Sequence, residues 1–415
     1  MSTQGLEKYG PILKTKQAEE LVIEVFRTSR KEKAQGRKGL PVCAWGPAGI
    51  GKTELPNYLV KAYAEELFDG NVVYIPMAQI EEKAELQGLP ELLEQVEPYD
   101  GKSVVPTSAT IRKDVIDGIV KEFLVTASTV YATPSWIPQE ETHGKRGLLV
   151  IDDMNRADGR IINSIMQLLQ DGKLLGWELP QEWEIYCTCN PDDGTYQVTP
   201  FDGAQMTRMV NFRQEFDPKS WLENWAIPTG IHPVAQNFVM TLPESVVQGE
   251  RTNPRSFDKL FRLAAPYLDE LKGLNKDNIG SSDVVSKIKM LGLANIEQES
   301  LTSFLQFITD GFGKLPNIDE ILDMNFDLDQ FYDTIYTQGV LRIDIVKTLD
   351  CRIFLFAKSL EQKEMKKYYK GIQRWLKHKK LPSDLRYYSA TQAIDLDQEI
   401  ADEQLAEVIF SRYHG

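Results

Sequence analysis

The eight residues GPAGIGKT, Gly46 to Thr53, follow the apolar run LPVCAW and open the segment ELPNYLVKAYAEELF. A glycine-rich turn leaving a strand and entering a helix lets several backbone N–H groups converge on one point. The helix N-terminus adds favourable partial charge for an anion there. The full G-x-x-x-x-G-K-T pattern in that context reads as a phosphate cradle. Gly46, Pro47, Ala48, Gly49, Ile50, Gly51, Lys52, Thr53 and the adjoining Glu54 are therefore the candidate nucleotide-binding residues. Lys52 is placed to reach the β and γ phosphates, and the Thr53 hydroxyl to ligate Mg²⁺. Pro56 falls near the first helical turn, where a missing N–H is tolerated.

A phosphate cradle needs an acidic strand end beside it, and GLLVIDDMNRAD from Gly147 supplies one. Asp152 ends the apolar run and is the candidate magnesium residue with Thr53. Asp153 is the candidate for polarising an attacking water. Glutamate is usual in that role, and the shorter aspartate must rely on backbone adjustment or a second water. A misplacement of about 1 Å can cost roughly a hundredfold in rate, so slow hydrolysis is one expectation. Asn190 ends the strand IYCTCNP, a position suited to hydrogen bonding that water or the γ phosphate. Arg208 and Arg255 are candidate sources of positive charge over a developing γ-phosphoryl charge, supplied in cis or from a neighbour.

Around these motifs, strand, crossover helix and strand recur, with apolar, poorly alternating strands. That pattern predicts an α/β fold with a parallel sheet covered on both faces. A helix is expected over Gln17 to Thr28, followed by a basic turn, and NVVYIPMA reads as a strand. The polar stretch after it reads as helix-prone up to IRKDVIDGIVKEFL. A helix is expected over Arg160 to Gln170. DGKLLGWELPQEWEIYCTCNP reads as a hairpin whose second arm is a core strand, and Trp177 within it either packs on the sheet edge or faces a substrate. A last strand near MVNFRQEF completes the core. The expected domains are an N-terminal helix and basic linker (1–39), a nucleotide-binding core (40–216), a helical lid (217–274) and a C-terminal helical domain (275–415). DMNFDLD at Asp323 has the oxygen spacing of half a calcium loop, but Leu328 stands where glycine is needed and Thr334 where glutamate is needed, so it reads as a helix start.

The chain has 415 residues, 42% hydrophobic and 26% charged, which suits two or three globular domains. Its formal net charge of -14 disfavours broad attraction to a nucleic-acid backbone. The one dense basic run, Arg27 to Gly39, carries six cations. No apolar stretch approaches membrane-spanning length and no secretory signal opens the chain, so no membrane association and a cytoplasmic location are expected. Cys187 and Cys189 alternate onto one strand face and read as core; zinc and histidine catalysis find little support.

Taken together, GPAGIGKT, LLVIDDMNRAD, IINSIMQLLQDGK, IYCTCNP, YQVTPFDGAQMTRMV and TNPRSFDKL resemble the MoxR family of AAA+ ATPases, near its dynein-related and cobalt-chelatase-like branch. The likeness runs from about Leu40 to Ala265, with Asp153 departing from the family's glutamate. It implies an AAA+ P-loop nucleoside triphosphatase core with a helical lid, ATP and Mg²⁺ as cofactors, and an ATPase activity. By it Asn190 is similar to sensor 1, Arg208 to the finger that enters the next subunit's site, and Arg255 to sensor 2. It further implies a homo-oligomeric, hexameric ring with a chaperone-like action on a protein partner, often one carrying a von Willebrand factor A domain. Segment AQIEEKAELQGLP resembles the family's insert after the second strand. Two other readings stand beside this one. The first is a nucleic-acid-associated motor or loader using Arg30 to Lys38 or the helical appendage; the second is a nucleotide-gated structural ring with little hydrolysis.

Overall fold

The computed structural model describes residues 8–117, 119–271, 282–309, 316, 318–337 and 340–400. The chain divides into two units, one ending at Glu215 and one beginning at Phe216.

The first unit is the expected α/β fold, a parallel sheet covered by helices on both faces. Its elements run β1 (Ile12–Leu13), α1 (Thr15–Ala34), β2 (Val42–Trp45), α2 (Glu54–Ala62), β3 (Val72–Pro76), then β4 (Leu89–Pro98), β5 (Ala109–Ile116) and β6 (Ile119–Ala132). They continue with β7 (Arg146–Asp152), α3 (Gly159–Asp171), β8 (Lys173–Leu174), β9 (Trp177–Glu178), β10 (Glu182–Cys189) and β11 (Val210–Gln214). Six parallel strands form the sheet in the order β1-β11-β2-β10-β7-β3. Period-two alternation sorts their side chains into two cores. Cys43, Trp45, Leu149, Ile151, Cys187 and Cys189 pack with Ile161, Ile165 and Leu168 of α3. Val42, Ala44, Leu148, Val150, Tyr186 and Phe212 pack with Val22 and Phe26 of α1 and Leu55 and Leu59 of α2. Burial on both faces is why these strands read as continuous apolar runs.

Three expectations need correction. Helix α1 runs through Ala34, taking in most of the basic turn. Most cations of that run are engaged within the unit: Arg30 donates to the carbonyls of Leu67 and Glu182, and Lys33 pairs with Glu184 at 2.8 Å. Arg37 pairs with Glu32 and Lys38 with Asp171. The helix-prone stretch forms instead a three-stranded antiparallel sheet, β4-β6-β5. Finally, the hairpin closes as β8 and β9, and β10 is a separate parallel strand between β2 and β7.

Among its described residues, the second unit is helical apart from the two-residue strands β12 (Tyr336–Thr337) and β13 (Val340–Leu341). Helices α4 (Pro233–Thr241), α5 (Pro254–Leu271), α6 (Asp283–Asn295) and α7 (Gln298–Thr309) share one core centred on Phe238, Phe257, Phe261 and Phe304. A second cluster joins α8 (Ile343–Ser359), α9 (Tyr369–Leu376) and α10 (Ser383–Leu396) around Val346, Ile353, Ile372 and Trp375. The expected boundary between lid and appendage, near Asn275, lies outside the described residues. Asp327 caps the short helix Leu328–Thr334 by accepting from the Gln330 amide, the helix start expected of DMNFDLD. Among the described residues, no helix is long and apolar enough to cross a membrane, and no group of His, Cys, Asp and Glu could hold a metal as a cluster.

Candidate nucleotide site

The C-terminal ends of β2, β7 and β10 set the candidate groups side by side. Gly46 leaves β2 with its amide donating to the Cys189 carbonyl at 3.2 Å. A Cβ at Gly46 would lie 2.7 Å from Ile50 Cδ1 and 2.8 Å from the Gln214 carbonyl, so the loop admits no side chain there. Gly49 and Gly51 take φ of 79° and 98°, a region open to glycine. The loop amide of Ala48 donates to the Tyr196 hydroxyl at 3.1 Å. Thr53 precedes α2, and Pro56 lies in that helix's first turn.

Lys52 is only 6% exposed. Its ammonium donates to the carbonyls of Gly46 and Pro47, both at 2.8 Å, and to Asn190 Oδ1 at 3.2 Å. Burying a charge is costly unless it is paired or hydrogen-bonded, and these oxygens meet that need at the mouth of the loop. Thr53 Oγ1 donates to Asp152 Oδ1 at 2.9 Å. Two hard oxygens in contact at a strand end match the donor set that Mg²⁺ prefers. Tyr74 steadies the far side, its hydroxyl reaching the Thr53 carbonyl and Asn57 Oδ1. Burial beside Glu54 and Asp152 pushes that phenol well above its ordinary value.

Asp153 adopts φ 50° and ψ 45°, a left-handed conformation uncommon outside glycine, asparagine and aspartate. Its amide donates to Thr188 Oγ1 at 2.8 Å, and the same hydroxyl donates to Asp152 Oδ1 at 2.7 Å. Asn190 Nδ2 donates to Asp153 Oδ1 at 2.9 Å, and Arg156 pairs with Oδ2 at 3.1 Å. Asn155, 1% exposed, brackets Asn190: its Nδ2 donates to the Asn190 carbonyl and its Oδ1 accepts from the Asn190 amide.

The structure thus brings Lys52, Thr53, Asp152, Asp153 and Asn190 into one hydrogen-bonded group. It leaves Arg208 outside that group, exposed between the turn Gly203–Met206 and β11. Arg255 lies exposed near the start of α5 in the second unit. Sequence reading overlooked Thr188, Asn155 and Arg156. Trp177 packs rather than facing a substrate: it is buried, and its indole N–H donates to the Leu86 carbonyl at 2.7 Å.

No family model and no curated protein matches the chain. Among solved structures it is similar to RuvB of Thermotoga maritima, a Holliday junction branch migration motor. The identity is 12% over 75% of this chain and 76% of that one, with a TM-score of 0.33. It is similar also to NtrX of Brucella abortus in complex with ADP, at 13% identity over 71% of this chain and 62% of that one, with a TM-score of 0.32. Neither likeness bears on what the site does.

Proposed function

We propose that the chain hydrolyses ATP with Mg²⁺ as a subunit of a homo-oligomeric ring that remodels a protein partner. One observation carries the reading: Thr53 and Asp152 meet at 2.9 Å in the same network in which Asn190 joins Lys52 to Asp153. Lys52 and the amides of Gly49–Thr53 hold the phosphates, Lys52 exchanging its loop carbonyls for phosphate oxygens. Thr53 and Asp152 would hold Mg²⁺, which when bound neutralises charge on the β and γ phosphates. Asp153 accepts the hydrogen bond of the attacking water and Asn190 orients it. The water attacks the γ phosphorus in line, its oxygen forming the new P–O bond as the bond to the β-phosphate oxygen breaks, giving ADP and inorganic phosphate. Arg208 and Arg255 supply positive charge to the γ phosphate, Arg208 from a neighbouring subunit.

A ring that binds nucleotide and scarcely hydrolyses it is favoured by a different observation. Both Asp153 carboxylate oxygens are engaged, one by Asn190 and one by Arg156. Steady-state ATPase and GTPase rates of the wild type and of Asp153→Asn, with particle mass recorded with and without nucleotide, separate the two. Turnover lost in the variant while the ring still forms supports the motor. Negligible turnover in both, with a ring forming on ATP, supports the clamp.

A further inference from the structure

From Glu81 to Asp100 the sequence EEKAELQGLPELLEQVEPYD holds seven carboxylates against one cation, Lys83. Half of it is β4, an outer strand of the β4-β6-β5 sheet, so among the described residues one side of its backbone has no strand beside it. All ten residues of β4 are exposed. Alternation sends Leu89 and Leu93 to one face and Leu92 and Val96 to the other, with exposures of 41 to 66%. Natural sheets usually blunt such an edge with short length, lysines or prolines. This strand is ten residues long and has no lysine, and its prolines stand only at its second and last positions. At its start opens a cavity of about 820 Å³, lined by Tyr74, Ile80, Leu89 and Trp136, with Glu82 and Glu85 beside them.

We infer that β4 and this cavity bind an extended, basic segment of the protein partner by strand addition, with one large apolar side chain of that segment entering the cavity. Backbone hydrogen bonds along the open edge supply affinity, and alternate side chains supply selection. Charge decides the class of occupant. Glu94 is paired with Arg112, whereas Glu91 and Glu97 form no ion pair among the described residues, so they select lysine or arginine and repel nucleic acid. A second copy fits less well: its own β4 would bring like charge, and the cations of its β5 are already committed, Arg112 to Glu94 and Asp114, Lys113 to Glu122.

The inference rests on the remodelling reading for the partner being a protein, and the test separates the two. Fluorescent peptides are titrated onto the full chain: one alternating lysine and valine with a single phenylalanine, one with glutamate for lysine, and one keeping the lysines but N-methylated along its backbone. The lysine peptide should bind and slow amide exchange within β4. The glutamate peptide should not bind, and N-methylation should weaken binding about tenfold or more. The double variant Glu91→Gln, Glu97→Gln should weaken it about tenfold and leave basal ATPase unchanged. Equal binding of both charges, undiminished binding of the N-methylated peptide, competition by a DNA oligonucleotide, or a changed particle mass in the double variant would overturn it. Peptide binding by a chain without ATPase activity would keep the docking strand and sink the motor. Hydrolysis without peptide binding would do the reverse.

Discussion

Thr188 decides how the two acidic residues are held. It takes the Asp153 amide and gives its own hydrogen to Asp152 Oδ1, so one hydroxyl fixes the left-handed turn and orients the carboxylate proposed for magnesium. Thr188→Val keeps the shape and removes both bonds. Outer-shell partners of this kind are typically worth about 10–100-fold in metal affinity or activity. The variant should therefore lose turnover on that scale and need more Mg²⁺, with a smaller change in nucleotide affinity, and Thr188→Ser should restore both. Steady-state rates over a magnesium titration measure this; a normal valine variant would reduce Thr188 to a packing residue. Lys52, Thr53, Asp152 and Asp153 could be read from the sequence because each lies in a contiguous motif whose spacing is set by one loop or one strand end. Thr188 could not, because between Cys187 and Cys189 it looks like another core position. The usable signal was alternation, which turns it to the face opposite the cysteines, toward the acidic strand end. Asn155 and Arg156 were in view within DDMNR, but which partners they take depends on how the turn after β7 folds back on β10.

Among the elements, one carboxylate ties three helices of the second unit together. Asp350 on α8 accepts from Trp375 Nε1 on α9 at 3.0 Å and from Ser389 Oγ on α10 at 2.6 Å. Burial nevertheless dominates, raising its pKa to about 6. A carboxyl that is more basic folded than unfolded holds its proton longer in the fold. Its contribution to stability is full below the unfolded value near 4 and is lost as pH rises toward 6. That loss is on the order of 3 kcal/mol. Asp350→Asn should flatten this slope and leave the unit more stable at neutral pH, as read by urea unfolding at several pH values with Trp375 fluorescence as the local probe. An unchanged slope would assign the pH dependence elsewhere. At this scale the parallel strands were legible because burial on both faces leaves continuous apolar runs. The β4-β6-β5 sheet was not, since its glutamates, lysines and leucines favour helix locally and most of its residues are exposed. The overlooked signal was VIDGIV: Asp-Gly between apolar pairs is a hairpin turn, and Asp117 takes φ 54° as such a turn requires.

At the scale of the whole molecule, Arg208 is the deciding residue. Its side chain is exposed and makes no hydrogen bond or ion pair among the described residues, while Lys52, Thr53, Asp152 and Asp153 of the same unit are engaged through Asn190 and Thr188. An arginine that completes a neighbour's site leaves its own chain's site one cation short, and the loss of such a finger costs on the order of a thousandfold or more in turnover. Arg208→Ala should therefore bind nucleotide nearly normally and hydrolyse almost none. Lys52→Ala should fail for the opposite reason, with its own cradle broken and its arginine intact. In a head-to-tail ring formed from equal amounts of the two, about a quarter of the interfaces set an intact cradle against an intact arginine. ATPase activity should then reappear on mixing, although neither variant has it alone. Recovery would make the oligomer itself the catalytic unit. Absence of recovery, with both variants still assembling into the same particles, would confine Arg208 to its own subunit and remove the reason for a ring.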